Sequence, residues 1–168
     1  MITATDTLTP GSRSLLPAIV TGGLLAGALD AASAFYTFGW NMPYGIASGV
    51  LGSKAFPAAG GGGTGIWLLG VTLHFLIAFG ASAFYCGSSK WLGFLKNHFV
   101  VGGIFLGVAV YLVMNLVVLP LSAVPFPIGP FTVKGLRMGL LFHVLLIGWP
   151  ISASLWFFFR RDRKSTTS

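Results

Sequence analysis

Residues 15–38 read LLPAIVTGGLLAGALDAASAFYTF, and a single charge, Asp30, interrupts the run. A bilayer core about 30 Å thick needs roughly 20 apolar residues of helix, so this stretch is long enough to cross. Three further runs qualify, at 66–86, 99–119 and about 138–159. In lipid the backbone must satisfy its own hydrogen bonds, which only helices and closed barrels do. Barrel strands would alternate polar with apolar, and these runs do not. The expected fold is all-α, an integral membrane four-helix bundle forming one transmembrane domain over residues 1–168.

Composition makes lipid the outer solvent. Hydrophobic residues make up 55% of the 168 and charged residues 8%, where a soluble domain carries about 25% charged. The net charge of +7 does not describe a nucleic-acid face. Arg160, Arg161, Arg163 and Lys164 share one tail, and the other bases are scattered between apolar runs. That tail is expected to meet anionic lipid headgroups, at about 1 kcal/mol per base. Cys86 is the one cysteine, which excludes an internal disulfide and a Cys-rich metal site.

Charge also sets the expected orientation. With the N-terminus inside, the cytoplasmic segments carry Arg13, Lys90, Lys96 and the four tail bases, and the outer segments carry Lys54, Lys134 and Arg137. The excess favours N-in, C-in, with tails 1–14 and 160–168 cytoplasmic. The longest connection, 39–65, contains a candidate interfacial helix over 44–55, stopped by Pro57 and followed by the link Gly60–Gly63. Residues 120–135 hold Pro120, Pro125, Pro127 and Pro130 and read as extended. Trp40, Tyr44, Trp67, Trp91, Phe126 and Phe131 lie at span ends, as an interfacial aromatic belt does. A rival reading of the first run is a signal peptide cleaved at Ala32-Ser33-Ala34. It leaves three spans of the same orientation. The continuity of Asp30 with 35–38 favours an uncleaved span.

Each span carries small and polar residues at steps of three and four, which share a helix face. They are Gly23, Gly27, Asp30, Ala34 and Thr37; Gly70, His74, Ala78, Ser82 and Tyr85; Gly103, Gly107, Tyr111 and Asn115; and Gly135, Gly139, His143, Pro150 and Ser154. Small residues let helices approach in lipid, so these faces should point inward. Gly103 with Gly107, or Gly135 with Gly139, offers a contact for a second copy or a larger complex instead. The strongly polar members, Asp30, His74, Asn115 and His143, fall in the outer half of the membrane at depths of about 6–12 Å by helical rise. Asp30 and His74 have matching depths, so a hydrogen bond or ion pair between them is expected. Tyr111, Ser82 and Thr37 are secondary polar positions.

Three roles fit such a layer. It can fix helix register in an accessory or structural protein. It can mark a proton or solute pathway, since intramembrane acids and histidines often do. It can hold a haem through His74 and His143. No motif demands a cofactor, and each helix offers too few ligands for a metal. Catalytic signatures are also missing. Gly60, Gly62 and Gly65 match G-x-G-x-x-G, but no strand precedes them. The chain has no Glu, and its acids Asp6, Asp30 and Asp162 are far apart in sequence. His98 falls in the short inner loop, where a solvated role is expected. Ser122 lacks a nucleophile motif.

The strings ASGVLGSKAF (47–56), LHFLIAFGAS (73–82) and VYLVMNLVVLPLSA (110–123) resemble those of uncharacterised small bacterial inner-membrane proteins. The resemblance covers most of 15–157. It implies a four-span protein of the bacterial inner membrane and carries no catalytic residues over.

Overall fold

A computed structural model describes residues 15–127 and 132–165, with side chains to Arg161. Arg13, Phe131, Pro130 and the side chains of Arg163 and Lys164 lie outside the described residues. Among those described there is helix and no strand. Four helices are long and apolar enough to cross a membrane. We name them α1 (Leu15–Phe38), α3 (Gly63–Ser88), α4 (Phe99–Leu121) and α5 (Val133–Arg161), with a short α2 (Met42–Leu51) after α1.

α1 sits between two neighbours, with α3 on one side and α5 on the other. α5 packs in turn against α4, while α3 and α4 do not pack along their length. A helix with neighbours on both flanks needs two small faces. Gly22 sits where Ser82 of α3 and the Ile151 backbone and Ser154 of α5 converge, while Gly23 and Gly27 receive Phe79 and Phe75 of α3. Ala18 and Ala26 complete the close approach and are fully buried. Lipid is as apolar as leucine, so this packing rests on van der Waals contact between close backbones. Cleavage at Ala34 would remove the helix on which both neighbours rest.

Prolines shape the other pair. α4 contains a π turn at Met114–Val118, just before Pro120, and α5 contains one at His143–Gly148, just before Pro150. Proline has no N–H to donate and its ring crowds the preceding turn. The wider turn absorbs both problems: Leu119 N–H reaches back five residues to Met114, and Trp149 N–H to Val144. Pro120 therefore lies inside a helix that continues to Leu121, where an extended chain was expected. α5 likewise begins at Val133, earlier than expected, with the Thr132 hydroxyl accepting from Gly135 N–H at 3.0 Å. Each π turn also shifts the helix face by one residue. The buried face of α5 is Ile147, Gly148, Ile151, Ser152, Ser154 and Leu155, so the expected Ser154 is inward, whereas Pro150 is half-buried and Gly135, ahead of the π turn, is exposed.

Gly103 and Gly107 are spent inside the chain. Gly103 abuts Gly148, and Gly107 abuts the His143–Val144 backbone, so this pair is no surface for a second copy. Gly139 is covered by the Tyr111 ring. The expected interfacial helix at 44–55 is α2 plus a 3-10 turn at Gly52–Ala55. Gly39, with φ +67°, turns the chain out of α1. α2 then lies against α3, its Pro43 carbonyl seated on Gly70. Trp40 and Trp67 stack at 4.9 Å, and Trp67 Nε1 donates to the Trp40 carbonyl at 3.1 Å.

The core is unevenly distributed. Leu15, Ala18, Tyr85, Cys86, Leu95, Leu106, Ile151 and Leu155 fill the half of the bundle next to the α3–α4 loop. The half next to α2 is hollow.

The glycine contacts give a direct stability test. A Cβ at Gly148 would run into the Gly103 backbone, whereas one at Gly80 meets nothing within 4 Å. Gly148→Ala is expected to destabilise by about 1–3 kcal/mol, as overpacking does. Gly80→Ala should be neutral or stabilising by up to about 1 kcal/mol. Thermal unfolding in detergent, read by circular dichroism, compares the two.

Candidate functional site, a cavity on the α2 side

The hollow half contains a cavity of about 580 Å³. All five helices line it, and so does the segment after α4. Most of its wall is apolar, including Ala34, Phe38, Ile46, Ile77, Met114, Val118 and Phe126. Its polar side chains are Asp30 of α1, Asn41 before α2, His74 of α3, Ser122 after α4 and His143 of α5. Three of the four residues expected in one layer thus share one space.

The fourth does not. Asn115 is half-buried and donates from Nδ2 to the Tyr111 carbonyl of its own helix at 2.8 Å. It lies in the π turn, where the face of α4 has moved on to Met114 and Val118. Among the secondary positions, Tyr111 is buried and meets the His143 ring edge-on at 5.3 Å. Ser82 is buried below the cavity. Thr37, expected on the inner face, is exposed and donates to the Ser33 carbonyl at 2.9 Å. Arg160 and Arg161 are exposed at the end of α5, and the Arg160 guanidinium covers the Trp156 ring at 4.6 Å.

His74 crosses from α3 to α1. Its Nε2 lies 2.9 Å from the Gly27 carbonyl and 4.0 Å from Asp30 Oδ2. A carbonyl only accepts, so Nε2 carries the proton and gives it to the backbone. Asp30 is at the outer edge of ion-pair distance, too far for a hydrogen bond. The expected pair is thus met as a contact at the limit of ion-pair distance, while the hydrogen bond goes one turn away to Gly27. Among the described residues no hydrogen bond reaches the Asp30 carboxyl, and its side chain is 28% exposed. His143 Nδ1 donates to the Gly139 carbonyl at 2.8 Å, which leaves Nε2 as a free acceptor in the neutral ring.

A second bond repeats the α3-to-α1 crossing. Ser82 Oγ donates to the Ile19 carbonyl at 3.0 Å. Positions 74 and 82 are eight apart, and so are 27 and 19, as an antiparallel pair of helices in fixed register requires. The other buried serines, Ser48, Ser89, Ser152 and Ser154, donate to carbonyls within their own helical turns.

The part of the site hardest to see in sequence is its roof. Gly45 and Gly49 of α2 face the cavity one turn apart, and Ala123 N–H donates to the Gly49 carbonyl at 2.9 Å. That bond ties the post-α4 segment to α2 across the opening. The Gly45-xxx-Gly49 spacing was the available signal.

The two histidines line one cavity, yet each already uses a ring nitrogen on a backbone carbonyl. To ligate a haem, His74 would have to release Gly27 or present its opposite nitrogen. No group of three metal-ligating side chains gathers among the described residues.

Comparisons with protein-family models, with curated proteins and with solved structures returned no match. The class rests on the fold, which is that of a multi-pass α-helical membrane protein.

The hydrogen-bond pattern separates the polar residues by role. His74→Leu and Ser82→Ala each remove an interhelical bond and should each lower stability by about 0.5–1.5 kcal/mol. Asp30→Asn breaks no hydrogen bond and should stay within about 0.5 kcal/mol of the parent. Chemical unfolding in mixed micelles orders the three.

Proposed function

We propose that this chain is an accessory protein of the bacterial inner membrane that holds a lipid-soluble guest in its cavity. The carrying observation is a space of about 580 Å³ with apolar walls and a few converging polar groups. Small-molecule sites commonly have this size and make-up, about 300–1,000 Å³. Phe38 and Phe126, both exposed, border it, and a guest dissolved in the acyl region would meet them first.

Binding is better supported than conduction. A proton or solute pathway needs polar groups across the whole membrane. Next to the cavity floor come Ile147, Ile151, Leu106 and Leu155, packed to low exposure, and the serines there are tied to backbone carbonyls. The inner-membrane location follows the resemblance of 47–56, 73–82 and 110–123. The N-in, C-in orientation follows the excess of bases beside the α3–α4 loop and in the C-terminal tail. In that orientation the cavity opens in the outer half.

Two experiments test this reading. Cys86 is fully buried, so a thiol placed elsewhere reports alone. Lys54→Cys should react with an impermeant maleimide in intact cells, and Lys90→Cys only after permeabilisation. The reverse pattern sinks the orientation. For binding, a photoreactive long-chain alcohol in phosphatidylcholine nanodiscs should label the cavity wall at Met42 or Met114, read by peptide mass spectrometry. Ala34→Trp should cut that labelling to background while the helical signal persists. Labelling spread evenly over the lipid-facing helices would overturn the binding reading.

A further inference from the structure

We propose that the cavity selects a protonated amine carried on an apolar body, with Asp30 as its counter-ion. The inference rests on the binding reading above and goes on to name the chemistry of the guest. Asp30 is the one acid within the four spans. It faces the cavity, and no donor among the described residues satisfies it. His74, the nearest base, has given its Nε2 proton to Gly27 and stands 4.0 Å from the carboxyl oxygen. Among the described residues no Lys or Arg lines the space.

An anion in such a place is costly unless a partner of opposite charge joins it. Among the described residues the one base near it is His74, at the 4.0 Å limit of ion-pair distance and directed at Gly27, so an ammonium guest would make the close contact that the fold leaves open. The other cavity groups agree in sign. His143 turns an acceptor nitrogen toward a donor, since its Nδ1–H is held by Gly139. Phe38, Phe56 and Phe126 stand in the wall, and aromatic faces attract ammonium groups. The remaining wall is aliphatic and takes the guest's apolar body. An amine-bearing phospholipid offers the same ammonium, but it would bring its phosphate next to Asp30, and two anions repel. The occupant is therefore a free amphipathic amine.

The test uses the full chain in phosphatidylcholine nanodiscs, whose headgroup has no N–H. Dodecylammonium and dodecanol compete with the photoreactive alcohol at matched membrane concentrations. Dodecylammonium should displace the probe about tenfold more effectively, the equivalent of one desolvated charge contact. Asp30→Asn, which breaks no hydrogen bond in the fold, should bring the two competitors to parity while the alcohol still labels the cavity. Parity in the parent chain, or an amine preference that survives Asp30→Asn, overturns the proposal and leaves the binding reading standing. If the alcohol never labels the cavity, both fall. If phosphatidylethanolamine added to the nanodisc erases the amine advantage, the occupant is a lipid headgroup and the free-amine assignment is overturned.

Discussion

Everything in this bundle is referred to the register between α1 and α3. Two α3 side chains, His74 and Ser82, reach α1 carbonyls at Gly27 and Ile19. Those carbonyls already serve the helix, and each accepts the extra bond on its second lone pair. In water such bonds would contribute little. In lipid they cannot slide to solvent, so they define which turn faces which. The glycines make this possible, because Gly23 and Gly27 bring α1 close enough for a side chain to touch its backbone. Once α1 is fixed against α3, its adjacent face at Gly22 is fixed against Ile151 and Ser154 of α5, and α4 follows through Gly103, Gly107 and Gly148.

The same chain of contacts explains why half of the molecule is hollow. Near the α3–α4 loop the short connection holds α3 and α4 together, and Tyr85 presses on Gly102. Toward the other end nothing draws them in. The π turns at Met114–Val118 and His143–Gly148 widen the helices at that level, and α2 with the segment around Ala123 bridges the gap from above. Prolines, π turns and a roof held by one backbone hydrogen bond are what a helix bundle uses to keep a space open.

Much of this was legible in the sequence. Four apolar runs gave four helices, because the bilayer imposes length and hydrogen-bond closure on any spanning segment. Stepping by three and four put Gly23, Gly27, His74, Ala78, Ser82, Gly103 and Gly107 on inner faces, because α1, α3 and the first part of α4 are regular. The stepping failed where the period changed. Asn115 and Pro150 lie in or just beyond π turns, where the face shifts locally, although Ser154 further along α5 is buried as the spacing implied. Thr37 is exposed near the end of α1 and its hydroxyl turns back to its own helix at Ser33. The roof was read as a surface helix because amphipathic stepping says nothing about which helix a short segment will fold against. Asp30 and His74 were paired correctly by depth, but depth cannot tell a carboxylate from a carbonyl one turn below it.

That last distinction bears most on function. An aspartate inside a membrane costs about 2.5–3.5 kcal/mol to insert on translocon scales. A residue kept for architecture would recover this through hydrogen bonds, as His74 and Ser82 do. Asp30 recovers none from the described residues, and the one histidine beside it is engaged elsewhere. A polar contact that sets register and a carboxyl that the proposed binding reading assigns to a guest therefore lie on neighbouring turns of α1, at Gly27 and Asp30. An unmet acid at the edge of an apolar space, in a helix already fully specified by its glycines, is better accounted for by what enters the space than by what encloses it.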